Sequence, residues 1–345
     1  MKVLLLSKYR HLEIAESPAP AVGNHDVLIR VAACGICGSD VHGYDGASGR
    51  RIPPIVMGHE AAGTIVAVGS DVVEFKPQDR VTFDSTIYCG SCPNCVRGDV
   101  NLCDNRQVLG VSCGEYRRAG AFAEYVAVPA RIVYPLPESI PFAEAAMLEA
   151  VAVAIHAVSL APIQAADTAV VVGAGTIGLL VLQALRAAGC SRVFVTDIDE
   201  SRLRLASELG ATSVIASPEP VTQLLELTRG IGVDVAVEAV GRTETVRAAI
   251  KSVRKGGTVV LVGNISPDVT LPLQTVVTRQ IRLQGSCASA GEYRRAIELM
   301  GNGTIRVKPL ITAIAPLEDG PQWFERLYAR EPNLMKVVLT PGTLS

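Results

Sequence analysis

The stretch "VVVGAGTIGLL", Val170 to Leu180, decides how the second half of this 345-residue chain folds. Three glycines, Gly173, Gly175 and Gly178, take the G-x-G-x-x-G spacing. The pattern is weak by itself, because glycine is common in strand–helix turns. Here an apolar run precedes it and an amphipathic run follows, the context in which a strand turns into a helix around a dinucleotide. Gly173 then permits the tight turn, Gly175 lets backbone amides reach the pyrophosphate, and Gly178 lets the helix lie close to the sheet. Thr176 and Ile177 open the helix, whose N-terminus supplies partial positive charge to phosphate. The next strand, "RVFVTD", ends at Asp197, 19 residues after Gly178. An acid there accepts the ribose hydroxyls and repels a 2′-phosphate, which favours NAD over NADP. Asp199 competes for this role, and Asp197 has a second reading as a helix N-cap in "DIDES". Arg202, one turn further, is a neighbour of the adenosine or a solvated helix charge. Val262, in "TVVLVG", completes the residues assigned to the cofactor.

Working outward, apolar strands and amphipathic helices alternate from Ala169 to about Gly263, which predicts a parallel sheet covered on both faces. Upstream, "PFAEAAMLEAVAVAIHAVSL" reads as one long Ala-rich helix. The first 150 residues are different in kind: alternating segments such as "VLIRVAACGICGSD", "AAGTIVAVGS" and "DRVTF" break at glycines and prolines. They predict a β-barrel-like domain with long functional loops. The division expected is 1–150 for this domain, 151–287 for the nucleotide domain, and 288–345 folding back onto the first, with a helix in "GEYRRAIELMGNG" and a last strand "MKVVLT".

Composition narrows the function. Net charge is −2, so no basic field holds nucleic acid or an anionic membrane. The opening "MKVLLLSKYRHLE" has four consecutive apolar residues, too few for a signal peptide. No apolar run reaches the roughly 18–20 residues of a membrane helix. A soluble, cytoplasmic enzyme is the expectation. Its nine cysteines are then not a disulfide scaffold, and Cys113, Cys190 and Cys287 read as small buried hydrophobes. Cys89, Cys92, Cys95 and Cys103 stand apart, with gaps of two, two and seven residues in a Gly- and Pro-containing loop. Four thiolates suit a closed, tetrahedral structural zinc; an iron–sulfur cluster is the rival.

"CGICGSDVHGY" and "MGHEAAG" hold the remaining chemistry. Cys37 and His59 suit zinc, and Glu60 offers a carboxylate oxygen. The alternatives are a hydrogen-bonded structural histidine and a Cys34–Cys37 redox pair, though no thioredoxin-like unit surrounds it.

Together "CGICGSDVH", "GHEAAGTIVAVG", the four-cysteine loop and "GAGTIG" followed by "VTDID" resemble the zinc-containing medium-chain dehydrogenase/reductase family over nearly the whole chain. The resemblance implies an α/β protein in which a β-rich GroES-like catalytic domain joins a Rossmann doubly wound nucleotide domain. It implies two zinc ions per chain and NAD. Cys37 and His59 become catalytic zinc ligands, with Glu149 in place of a cysteine as in the sorbitol, polyol and threonine dehydrogenase branches, and Glu60 as an alternative ligand. Ser39 and His42 match the proton-relay positions, Asp40 orients His59 or merely caps a helix, and Tyr44 walls the substrate pocket. Hydride from a secondary hydroxyl of a small polyol or sugar alcohol would pass to NAD. The arginine–tyrosine pair of sorbitol dehydrogenases is missing from "LQGSCASAGEY". L-Threonine 3-dehydrogenase and sugar-alcohol-phosphate dehydrogenase therefore remain alternatives; Arg117 and Arg118 are read as surface charges rather than phosphate ligands. A homodimer or tetramer is implied.

Overall fold

A computed structural model describes residues 1–342. The chain divides into two compact units. One comprises Met1–Glu149, Tyr293–Gly301 and the segment from Val307 on; the other comprises Ala150–Glu292 and Asn302–Arg306.

In the first unit, alternation builds the sheet. Asp26–Gly35 buries Val27, Ile29, Val31 and Ala33, and pairs antiparallel with Glu60–Val68, Tyr125–Pro129 and Lys336–Thr340. Arg80–Phe83, Val133–Pro135 and Ile311–Pro316 complete seven strands. A three-stranded sheet of His11–Glu16, Lys2–Lys8 and Ile55–Val56 accompanies them, and Leu4, Leu6, Ile65, Phe83, Phe122 and Phe324 share one core. Register sets the chemistry. Gly35 lies opposite both Glu60 and Val338, so Cys37, Glu60 and Lys336 all emerge near one end of the sheet. A Cβ at Gly35 would collide with the Glu60 carboxylate in its present position.

The second unit is a six-stranded parallel sheet. Its order is Ser213–Ala216, Arg192–Asp197, Thr168–Val172, Val233–Glu238, Val253–Leu261, Arg282–Gly285. Counted along the chain this is 3-2-1-4-5-6, the doubly wound arrangement. Helices Thr176–Ala187, Glu200–Glu208, Val221–Leu227 and Thr243–Ser252 occupy the crossovers, and Val170, Phe194, Ile215, Leu224 and Val259 fill the core.

The stretch from Pro141 to Leu160 is two helices, not the one expected. Phe142–Ala145 stops after a turn and Leu148–Ser159 starts anew. Between them the Met147 amide bonds the Glu144 carbonyl, a three-residue step tighter than an α-turn. Ala146 and Met147 are fully buried, so their apolar character concealed the break.

Candidate metal and dinucleotide sites

Cys37 is the N-cap of the helix Gly38–Gly43: its sulfur accepts from the Ser39 amide, and Asp40 Oδ2 accepts from the Cys37 amide at 3.3 Å. This reciprocal capping fixes the thiol at the helix entrance. Across the sheet register, the ligand atoms of Cys37, His59 and Glu60 come within 4.8 Å of one another. A thiolate, an imidazole and a carboxylate at that spacing fit zinc.

Asp40 takes the capping role and also lies against His59. Its Oδ2 closes the capping box, while its Oδ1 faces His59 Nδ1 at 3.3 Å and accepts from Arg51 Nε at 3.1 Å and Nη2 at 2.9 Å. The approach to His59 is a charge contact out of line for a hydrogen bond, so Nδ1 remains a buried atom with no hydrogen-bond partner. Burial works to push the Asp40 carboxyl up, but the His59 and Arg51 charges hold it well below the carboxylate range. For His59 burial works against the charged form, and Asp40 and Cys37 outweigh it, raising the imidazole well above its ordinary value. Ser39 Oγ lies 3.4 Å from His59 Nε2 and 3.4 Å from Arg51 Nη2.

Behind this group sits a cation that sequence reasoning missed. Lys336 is 3% exposed, and its Nζ donates to Glu60 Oε2 at 2.6 Å and to the Ile36 carbonyl at 3.1 Å. A lone lysine opening the apolar run "KVVLT" was the available signal. Arg51 was missed too, for nothing in "GRRIPP" separates it from the exposed Arg50. Glu149 stands outside the three residues within 4.8 Å. Its side chain keeps some solvent exposure, yet protein encloses the carboxyl. That burial, with Glu60 and Asp84 adding and His59 and Lys336 opposing, pushes it up to about 7.

Two expectations change, and one alternative falls away. Tyr44 is 2% exposed and does not wall a pocket: its hydroxyl lies 2.7 Å from Glu325 Oε1 and 2.9 Å from the Arg10 carbonyl oxygen, the two acceptors for its one proton, and its ring packs on Phe324 and Tyr328. Cys34 is fully buried, and burial together with Asp40 and Glu60 raises its thiol well above the ordinary value, so it is an inert partner for a redox pair. Of the cysteines read as buried hydrophobes, Cys190 is buried, Cys113 half-buried and Cys287 exposed. His42 is exposed on the same short helix as Ser39, and Arg117 is exposed against the Pro53 and Pro54 carbonyls.

The four loop cysteines form a second ligand group within 4.8 Å. Cys89 and Cys95 sulfurs are 4.0 Å apart, close to the edge of a tetrahedron built on Zn–S bonds of about 2.3 Å and far beyond a disulfide bond. Amides point at the sulfurs: Ser91 and Cys92 donate to Cys89, Cys95 donates to Cys92, and Cys89 donates to Cys103. The Ser91 and Cys92 amides hold the Cys89 thiol down at about 5, whereas burial pushes the Cys95 thiol up to about 12.

In the second unit the glycine loop lies at the carboxyl end of Thr168–Val172, where the strand order reverses. Gly173 has φ +102°, and a Cβ at Gly178 would collide with the Gly173 carbonyl. Gly175 is the N-cap of Thr176–Ala187, where Thr176 and Ile177 are half-exposed. The capping question is settled by Asp199, which accepts from the Ser201 and Arg202 amides. Asp197 instead ends its strand and accepts from the Ala174 amide in the glycine loop at 2.6 Å. Arg202 Nε lies 3.6 Å from Asp199 Oδ2. The Val262 amide donates to the carbonyl of Glu238, a fully buried acid whose carboxylate holds the Val240 and Gly241 amides.

Two family models match the chain: the alcohol dehydrogenase GroES-like domain over residues 23–138 and the zinc-binding dehydrogenase over residues 176–302. A sorbitol dehydrogenase of Bacillus subtilis is 34% identical, covering 99% of this chain and 98% of its own. D-Xylulose reductase A of Aspergillus niger is 35% identical over 94% of this chain and 93% of its own. The crystal structure of galactitol-1-phosphate dehydrogenase from Escherichia coli superposes with a TM-score of 0.90 at 30% identity, covering 99% of this chain and 100% of that one. The chain belongs to the zinc-containing medium-chain alcohol dehydrogenase family and is an oxidoreductase of its polyol dehydrogenase type.

Proposed function

We propose that the chain oxidises a secondary hydroxyl of a small polyol or sugar alcohol with NAD. The meeting of Cys37, His59 and Glu60 within 4.8 Å carries this reading, because a single thiolate among oxygen and nitrogen donors makes a hard site suited to a substrate rich in oxygen ligands. A zinc held by Cys37, His59 and Glu149, with Glu60 in reserve, supplies a Lewis acid that eases deprotonation of an alcohol hydroxyl. Asp40 orients His59, as metal-bound imidazoles require. The Ser39 hydroxyl releases its own proton as it takes the substrate's, and the cofactor ribose hydroxyls would carry that proton on to His42, which is exposed to solvent. Gly173, Gly175, Gly178, Thr176, Ile177 and Val262 line the cofactor, Asp197 accepts its ribose hydroxyls, and Cys89, Cys92, Cys95 and Cys103 hold a structural zinc. The edge strand Arg282–Gly285, with exposed Leu273 and Val277 nearby in sequence, offers a face for a homodimer or tetramer. Among the described residues no helix is long and apolar enough to cross a membrane, and so thiol-rich a chain suits the reducing cytoplasm.

The test is initial-rate NAD reduction on polyols, sugar-alcohol phosphates and L-threonine, with zinc counted beforehand. Turnover on a polyol with two zinc ions per chain supports the proposal. Turnover on threonine alone moves the substrate class, and no turnover with one zinc overturns the site. Cofactor choice is checked separately. Asp197→Ser should lower the preference for NAD over NADP ten- to a hundredfold, the worth of a charged hydrogen bond and a removed repulsion, about 1.5–3 kcal/mol. An unchanged NAD/NADP ratio would leave Asp197 as an acceptor for the backbone amides of Ala174, Ile198 and Asp199 and nothing more.

Zinc affinity should depend on pH. Glu149 has a folded value above its ordinary one, so its protonated form favours the metal-free fold at low pH, and that contribution is lost as pH rises through about 7. His59, raised as well, is charged in the metal-free protein around neutrality. Zinc must displace the protons its ligands carry, so its apparent affinity at this site should fall steeply as pH drops below 7. In Glu149→Gln the slope should be shallower; an identical slope would remove Glu149 from the ligands.

A further inference from the structure

We infer that Lys336 keeps Glu60 from becoming a permanent zinc ligand, and thereby keeps a coordination place open for substrate. The inference rests on the reading of Cys37 and His59 as catalytic zinc ligands. Cys37, His59 and Glu60 converge within 4.8 Å, and the proposed function counts Glu149 as a ligand as well, which makes four candidates. A catalytic zinc with an open place takes only three ligands from the protein; four would close a tetrahedral site. Something must therefore hold one carboxylate back, and Lys336 is placed to do so. It is 3% exposed, its Nζ bonds Glu60 Oε2 at 2.6 Å, and the Ile36 carbonyl anchors it from the other side at 3.1 Å. Ile36 is adjacent to Cys37, so the anchor is tied to the site itself. Glu60 is 1% exposed, and a carboxylate so buried needs a cation. Lys336 and the metal are two claimants for one charge. The strand pairing makes the arrangement rigid: Gly35 sits opposite Glu60 and Val338 in adjacent ladders, and the missing Cβ at Gly35 leaves room for the Glu60 carboxylate. Lys336 is thus a positioning residue, acting on the metal through Glu60.

The test compares the full-length enzyme with Lys336→Met, Lys336→Arg and Glu60→Gln, each loaded with zinc or with cobalt. In Lys336→Met, Glu60 should move onto the metal. Chelator would then remove the catalytic metal about tenfold more slowly and kcat would fall about tenfold, the scale of outer-ligand effects. The visible spectrum of the cobalt form should shift with the new ligand. Lys336→Arg should restore all three readouts. Metal lost as fast as or faster than from the wild type, with an unchanged cobalt spectrum, would make the ion pair purely structural. Should Lys336→Met fail to fold, the cobalt spectra of wild type and Glu60→Gln decide the matter: identical spectra place Glu60 off the metal in the resting enzyme, and different spectra overturn the inference. A wild-type cobalt spectrum lacking thiolate-to-metal absorption beyond that of the four-cysteine site would instead refute the catalytic site itself.

Discussion

Cys37→Ser should lose one of two zinc ions and about a thousandfold in kcat/KM while keeping its fold. The substitution separates the two jobs of this side chain. As helix N-cap, Cys37 accepts from the Ser39 amide, and serine is among the best residues for that task. As metal ligand it offers a soft, anionic sulfur, which a neutral hydroxyl does not replace. The loss of Lewis-acid stabilisation, roughly 4 kcal/mol, converts to about three decades of rate. The zinc that remains should be the one in the Cys89–Cys103 loop, which shares no residue with this site. Elemental analysis and a thermal melt alongside the kinetics suffice. Two zinc ions per chain, or activity within tenfold of the wild type, would mean that Cys37 is only a cap.

Much of this protein is legible in its sequence. The glycine loop and the apolar strands around it specify a doubly wound sheet because parallel strands buried on both faces leave a composition that few other arrangements produce. The four-cysteine loop was equally clear, since spacing alone brings thiols together within a short turn. What failed was information that lives in packing. Tyr44 lies two residues after His42 and so read as part of the site. Its ring instead meets Phe324 and Tyr328 from a helix almost three hundred residues later. The break at Ala146–Met147 shows no glycine or proline, only a change of hydrogen-bond step. Lys336 and Arg51 escaped for the same reason: a charged residue is called to the interior by a partner distant in sequence, and neither Glu60 nor Asp40 announces which cation it will take.

Arg51 leads to the second large effect. Asp40 is fully buried and Arg51 is 4% exposed, and the guanidinium places two donors on the oxygen that also faces His59. Arg51→Leu leaves that carboxylate buried with His59 as its one remaining charged neighbour, a change that destabilises by about 3–5 kcal/mol when a buried pair loses one member. The pH dependence has a definite sign. With Arg51 present the Asp40 carboxyl is depressed, so its contribution holds above its ordinary range and is lost only as pH falls well below it. Without Arg51 that loss should begin at higher pH. Zinc affinity should also fall ten- to a hundredfold, because Asp40 no longer fixes the His59 ring in one orientation. Arg51→Lys, which keeps the charge but not the two-pronged geometry, should recover only part of either effect. Pairing the change with Asp40→Asn separates the two consequences: stability should return, since no unpaired charge is left, while zinc affinity stays low for want of the carboxylate. Urea midpoints and chelator competition read each quantity independently. If Arg51→Leu matched the wild type in both, Asp40 would be held by its capping bond to Cys37 alone, and the Arg51 pair would be incidental to the metal.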